Sequence, residues 1–530
     1  MNERHQVVIV GGGPVGIALA VSLSLRGISC ALVESRVGMH NIPKGQNLTQ
    51  RTFEHFYSWG IVEELRRARL MPTDAPIGEI TVYGNLAGDY WHAPRGREVV
   101  RPYYFQDNDR MPQYQMEMVL RKKLATLSNV DARFGWTATD VAQDAQTARV
   151  TIANERGETA DLVGDYVVGC DGGNSFVREA SGIMRVGTDF DQLMVLLVFR
   201  SRDLHDKLKR FPQRSIYRVL HPDLQGYWQF FGRIDVGESF FFHAPIARDS
   251  KRDGYDFREP LYRAAGFEFA LDIDYAGFWQ LRNAVAETYR TGRVFIAGDA
   301  AHTHPPYGAY GLNNGLEDAV NLAWKLAAKL QGWGGEALLD SYSLERQQVF
   351  REVAEHFIAE RIAEEGDFLA RYNPQRDRAE FERAWAARES DLGNRARRYE
   401  PNYEGSPVVC GPQGGITSAR GDHSFVARAG HHLAPQSLSS GRNVFEHLGH
   451  GFALIALDAA PDDVARLEQA AHDRKVPLAV IRDSCAGGRE VYGCKLILVR
   501  PDQFVAWTGN SAPADPAGLL CKVTGQDTHP

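Results

Sequence analysis

Gly11, Gly13 and Gly16 stand in Gly-x-Gly-x-x-Gly spacing directly after the apolar run Val7 to Val10. In that setting the first glycine permits a tight turn, the second lets backbone approach a pyrophosphate, and the third lets a helix pack on its strand. The unpaired N–H groups that open the helix then face the phosphates. Glu34 closes the next apolar run, "CALVE", where a carboxylate holds a ribose hydroxyl pair and repels a phosphate placed there. These residues predict a bound dinucleotide without that extra phosphate. Gly298 and Asp299 end a further run, "RVFIAGD", and present a carboxylate to sugar hydroxyls; the competing reading of Asp299 is a helix cap. "PPYGAYGLNNGLEDA" brings bare backbone N–H groups to a helix starting near Leu312, which suits an anion formed during a reaction. His302 and His304 look like a metal pair, but no cysteine or carboxylate joins them at ligand spacing, so no metal is expected.

These groups need a frame to hold them. Val7 to Val10 reads as a buried strand and Val15 to Leu25 as a helix. The glycines and Pro14 between them break the apolar stretch, which argues against a membrane helix or a secretion signal. Residues 1–182 read as the first part of a Rossmann-like domain, with strands of a second domain around 75–110. Residues 183–284 switch to aromatic-rich alternation ("GYWQFFGRI", "ESFFFHAPI"), the pattern of an antiparallel sheet with one covered face. Residues 285–400 return to the first domain and continue as charged helices, and 401–530 form a separate unit. "NYEGSPVVCGPQGG" reads as the linker to it, and "ARFGWTATDVAQDAQTARVTIAN" as a β-meander.

The net charge of −7, from 60 Lys+Arg against 67 Asp+Glu, argues against a nucleic-acid partner. The six cysteines show neither C-x-x-C nor zinc spacing, which fits a reducing, cytoplasmic setting. No later segment has the length and apolarity for a membrane span.

The glycine fingerprint with Glu34, "CDGGNSFVR" and "GDAAHTHPPYGAYGLNNGLEDAVNLAWKL" together resemble the FAD-dependent aromatic hydroxylases. These are single-component flavin monooxygenases, similar to the para-hydroxybenzoate, phenol and 3-(3-hydroxyphenyl)propionate hydroxylases. The likeness runs over residues 5–355. It implies an α/β fold in which a Rossmann-like FAD-binding domain is interleaved with an antiparallel β-sheet substrate domain. It also implies non-covalent FAD, with Gly11, Gly13, Gly16 and Glu34 on the ADP half. Lys44, where the family has arginine, would take the pyrophosphate contact. Gln113 and Asp299 would touch the ribityl region, and Asp171 belongs to a motif linked to both FAD and NAD(P)H. Pro306 would lie over the flavin edge, and Gly311, Leu312 and Asn313 would offer backbone donors near the pyrimidine ring. Ala309-Tyr310 departs from the family's usual glycine at this turn. Residues 405–530 resemble the thioredoxin-like C-terminal domain of the phenol-hydroxylase branch, with "LILVRPDQFVAWTG" as its closing hairpin. Lacking C-x-x-C, it is expected to serve packing or homodimer contact rather than thiol chemistry.

The reaction implied by the resemblance uses NADH or NADPH as a transient co-substrate. O2 then yields a flavin C4a-hydroperoxide, which hydroxylates a small phenolic substrate ortho or para to its hydroxyl, as in phenol degradation. Tyr217, Tyr227 and His243, on the aromatic sheet, are the candidates to orient or deprotonate that hydroxyl. Alternation alone also fills a sheet with such residues. An oxidase, a flavin halogenase and an isoprenoid-type reductase stay open, although the halogenase Trp-x-Trp-x-Ile pattern is absent. A non-catalytic flavin redox sensor stays open as well.

Overall fold

The computed structural model describes residues 2–72, 74–188 and 192–526. The glycine loop is carried by a six-stranded sheet. Its order is Arg290–Thr291, Val294–Ile296, Tyr166–Gly169, Val7–Val10, Cys30–Glu34 and Val130–Phe134. All neighbours run parallel except the edge pair Arg290–Thr291 and Val294–Ile296. The four central strands, Val294–Ile296, Tyr166–Gly169, Val7–Val10 and Cys30–Glu34, are buried on both faces, which is why they are almost wholly apolar. Val7 and Ile9 join one core with Ile17 and Val21 of the helix Pro14–Ser24 and Ala319 and Ala323 of the helix Tyr310–Leu330. Val8 and Val10 face the other way, against Val150 and Ile152 of a smaller sheet. That sheet is ordered Asn2–Arg4, Thr159–Gly164, Ala148–Asn154 and Trp136–Gln143. Residues 132–134, expected to open the same meander, end the strand Val130–Phe134 of the parallel sheet instead. Gly135, at φ 81°, turns the chain from one sheet into the other.

The aromatic segment forms a seven-stranded sheet. Its order is Asp272–Gln280, Leu193–Arg200, Ser239–Ile246, Trp228–Arg233, Ile216–Leu220, Glu79–Tyr83 and Trp91–His92. Only Ile216–Leu220 and Glu79–Tyr83 pair in parallel. Residues such as Phe199, Tyr217, Phe240 and Phe242 fill a core with the helix Glu259–Ala265. The opposite face turns Ile216, Phe230, Phe241 and His243 toward the glycine loop. Phe230 sits directly opposite His243 in the strand register.

Near the C-terminus, Phe452–Leu457, the helix Pro461–Asp473 and Leu478–Asp483 make a parallel βαβ unit. The antiparallel hairpin Leu496–Val499/Val505–Gly509 and the helix Pro516–Thr524 complete it. The stretch expected to be a linker is packed rather than free. Tyr399–Tyr403 pairs with Thr417–Arg420, and Val408 and Val409 are buried. The Ser406 hydroxyl donates to Glu345 Oε1 at 2.6 Å, which ties this stretch to the helix Glu336–Glu352. Among the described residues no helix is long and apolar enough to cross a membrane.

Candidate active site

Gly11, Asp171 and Asp299 follow the C-terminal ends of three adjacent parallel strands, where open α/β sheets place their ligands. The fingerprint glycines are glycine for different reasons. Gly11 has φ 107°, and a Cβ there would lie 2.3 Å from the carbonyl oxygen of Cys170. A Cβ on Gly16 would lie 1.9 Å from the Gly11 carbonyl oxygen, so this residue lets the helix meet the loop. Gly13 differs: a Cβ there meets no protein atom within 4 Å, yet the residue lines the cavity. Gly298 (φ 60°) lies against Val15 and does not line the cavity.

Glu34 Oε2 accepts the Gly12 N–H at 2.8 Å, and its Oε1 accepts from the Arg36 backbone N–H and Nε, both at 3.0 Å. Burial alone would raise the Glu34 pKa, but these donors hold it below the usual value. Asp171 accepts from the Ser175 hydroxyl and, at 3.0 Å, from the Val177 N–H, so it anchors the short helix Phe176–Ala180 while lining the cavity. Asp299 caps no helix among the described residues; its carboxylate faces the cavity, and burial raises its pKa.

The cavity, of about 680 Å³, runs from Gly11, Gly13, Glu34, Lys44 and Gln113 past Asp171 and Asp299 to Pro306, Gly311 and Leu312. It ends at Ile216, Phe230, Phe241, His243 and His304. Asn313 is not in the lining. Its amide accepts from the Thr49 N–H (2.9 Å) and donates to the carbonyls of Asn47 (2.9 Å) and Ala309 (2.7 Å), fastening the helix start to the preceding loops. Ala309 adopts the left-handed region, φ 59°, at the N-cap of that helix, a conformation costly for a residue with a Cβ.

The three residues proposed for the substrate separate. Tyr217 points away from the cavity: Ile216 lines it, and the period of two puts the next side chain on the far face. There its hydroxyl accepts from Arg233 Nε at 3.3 Å. Tyr227 lies at the turn before Trp228–Arg233 and packs beside Tyr307, ring centroids 6.4 Å apart, outside the lining. His243 alone of the three reaches the cavity, stacked on Phe230 at 5.1 Å. Its Nδ1 is buried without a hydrogen-bond partner among the described residues, and burial pushes its pKa down to about 4. His302 is turned to a structural task, with Nε2 2.6 Å from Asp318 Oδ2 and its ring stacked on Phe350 at 3.8 Å.

Three residues at the site were not singled out in the sequence: Asp318, which accepts the Gly298 N–H at 3.0 Å, and Gln46 and Arg110, which line the cavity. Asp318 had a signal, an acidic pair with Glu317 set between the apolar residues Leu316 and Ala319. Gln46 and Arg110 had none, because neither sits in a repeating pattern.

Residues 4–356 match the family described as "FAD binding domain", and residues 427–525 the one described as "Aromatic-ring hydroxylase, C-terminal". The chain belongs to the FAD-dependent aromatic-ring hydroxylases. Among relatives of this family it is 28% identical to tetracenomycin A2 monooxygenase-dioxygenase of Streptomyces glaucescens, covering 98% of this chain and 96% of that one. It is 30% identical to aklavinone 12-hydroxylase of Streptomyces purpurascens, covering 98% of each. The rebeccamycin biosynthetic enzyme RebC with reduced flavin superposes with a TM-score of 0.83 at 28% identity, over 99% of this chain and 100% of that one. The residues here fit the family's cofactor. Bare backbone at Gly13, a carboxylate at Asp299 open to the cavity and first-turn N–H groups at the helix Tyr310–Leu330 all face one continuous space.

Proposed function

We propose that this hydroxylase uses FAD, NADH or NADPH, and O2 to place one oxygen atom on a phenolic aromatic compound, ortho or para to its hydroxyl. The relatives named for tetracenomycin and aklavinone favour an aromatic polyketide as the substrate class over the simple compounds of phenol degradation. The observation that carries the proposal is the single cavity joining the glycine loop to the aromatic wall.

Glu34 would hold the adenosine ribose, and Lys44 with the N–H groups after Gly13 the pyrophosphate. Gln113, Asp171 and Asp299 would line the sugar chain. Pro306 would lie at the flavin edge, and the N–H groups of Gly311 and Leu312 would face the pyrimidine ring, with Asn313 outside the lining holding the helix start in place. Gly11, Gly16 and Gly298 shape the backbone around them. When bound, FAD would supply the redox chemistry, hydride acceptance from a nicotinamide and activation of O2. The protein's share is placement and exclusion of water. Ile216, Phe230 and Phe241 wall the ring in. His243, buried on this wall with Nδ1 unpartnered among the described residues, would orient the substrate hydroxyl as a neutral ring, since burial disfavours its charged form. The C-terminal unit we read as thioredoxin-like and structural, from its βαβ-hairpin-helix order and its lack of C-x-x-C.

The test is a panel of phenols and aromatic polyketides scored by NADH and NADPH consumption and by product mass. Substrate-stimulated consumption with a product heavier by one oxygen is expected. If no compound stimulates consumption or gains oxygen, the proposal is overturned.

A further inference from the structure

We propose that Arg110 and Gln46 form a receptor for an oxyanion on the aromatic substrate, either a carboxylate or an ionised phenol. This inference rests on reading the aromatic end of the cavity as the substrate site. Arg110 lines that end, is 2% exposed, and holds its guanidinium 5.6 Å from the centroid of the Phe241 ring. Room for it is made by Gly232: a Cβ there would lie 2.8 Å from Arg110 Nη2 and 1.9 Å from Phe241 Cε1.

A guanidinium taken out of water calls for a counter-charge or a full set of acceptors. Arg110 has neither among the described residues. Nε and Nη2 donate to Gln46 Oε1 at 3.1 and 3.0 Å, and Nη1 donates to Ser215 Oγ at 2.8 Å. That engages three of the five N–H groups of the side chain. The adjacent carboxylate, Asp109, is turned to Arg69 Nε at 3.2 Å. Burial without a carboxylate partner lowers the Arg110 pKa to about 9.

Gln46 adds an independent observation. Its Oε1 accepts twice from Arg110, which leaves Nε2 as its donor, and that nitrogen is buried with no acceptor among the described residues. Gln46 lines the same cavity and is 7% exposed. Unused donors of a cation and of a neighbouring amide thus sit side by side in a cavity with an aromatic wall. A planar oxyanion attached to an aromatic ring satisfies both: the ring lies along Phe230 and Phe241, and its oxygens accept from Arg110 and Gln46.

Calorimetric titration of the FAD-loaded protein without NADH or NADPH separates this from the reaction itself. The probes are a hydroxynaphthoic acid, its methyl ester, naphthol and the methyl ether of naphthol. The acid should bind about tenfold to a hundredfold tighter than its ester, or naphthol than its ether by a similar factor. The first preference assigns a carboxylate and the second an ionised phenol. Arg110→Met should abolish the preference, Arg110→Lys should keep part of it, and Gln46→Leu should reduce it. Equal affinity within both pairs in the unaltered protein overturns the proposal, whether or not Arg110→Met folds. So does a preference that Arg110→Met leaves intact. Loss of FAD from Arg110→Met, with FAD retained in Arg110→Lys, would instead assign the guanidinium to the cofactor. Probe binding that behaves as expected in a protein that hydroxylates nothing would leave this receptor standing and overturn the proposed reaction.

Discussion

Arg346 Nε donates to Asp318 Oδ1 at 2.7 Å, and neither side chain reaches solvent. The other oxygen of Asp318 accepts the Gly298 N–H at 3.0 Å and lies 2.6 Å from His302 Nε2. One carboxylate on the helix Tyr310–Leu330 thereby fixes the strand end that presents Asp299. Burial would raise the Asp318 pKa, but His302 and Arg346 hold it below the usual carboxylate value.

Asp318→Ala leaves Arg346 buried without its anion, a loss of the kind that costs about 3–5 kcal/mol. Denaturant unfolding should show that loss, and FAD should dissociate more readily because Asp299 is no longer positioned. The acid dependence follows from the direction of the shift. The contribution of Asp318 is complete above the unfolded-state pKa of about 4 and is lost as pH falls through its lower folded value. Parent-like stability in the variant would show that Asp318 is not the tie.

Gly13 and Gly16 should fail in different ways. Gly16→Ala drives a methyl group into the Gly11 carbonyl, so loss of soluble folded protein is expected. Gly13→Ala clashes with nothing in the protein and should unfold like the parent, yet hold FAD more weakly. Fluorescence of released FAD, read beside the unfolding midpoint, checks both. Equal FAD affinity in Gly13→Ala would remove the pyrophosphate from this loop.

Asp299→Ala should weaken FAD retention by about 1.5–3 kcal/mol, the range for a charge-assisted hydrogen bond. The fold should persist, since among the described residues this carboxylate caps no helix. Dialysis followed by flavin absorbance measures the change. Retention equal to the parent would place the sugar chain elsewhere.

Glu345 joins the C-terminal unit to the rest of the chain. It accepts from Arg500 Nη1 and Nη2 at 2.7 and 2.9 Å and from Lys325 Nζ at 2.7 Å, with all three side chains fully buried. Glu345→Gln removes a negative charge between two buried cations, so unfolding should become easier by about 3–5 kcal/mol. Because Lys325 lies on the helix that opens at the cavity, FAD release and unfolding should shift together. Separate melting of the two regions, with FAD release unmoved, would contradict this coupling.

Much of the glycine-loop end of the cavity was legible in the sequence, because glycine spacing and strand-ending carboxylates are local patterns. The helix near Leu312 begins at Tyr310, and Glu34, Asp171 and Asp299 all reach the cavity. The aromatic end was not legible. Whether Tyr217 or Ile216 faces inward depends on strand register, and register is set by pairing across the sheet. Arg110 reaches the wall from a two-residue strand, Asp109–Arg110, paired with Asn47–Leu48. No periodicity in "DNDRMPQ" foretells that contact. The apparent linker misled because three of its glycines allow close contact: a Cβ at Gly405 would lie 2.8 Å from Thr417 N, and one at Gly411 or Gly415 2.6 or 2.9 Å from Glu404 atoms.

The most direct test of the account is turnover under isotopically labelled O2, with mass spectrometry of the aromatic product. One labelled oxygen atom on a ring carbon ortho or para to the hydroxyl is predicted, with the second atom leaving as water. A product whose new oxygen comes only from water, or consumption of NADH or NADPH that yields hydrogen peroxide and no labelled product from any compound of a broad aromatic panel, would contradict it.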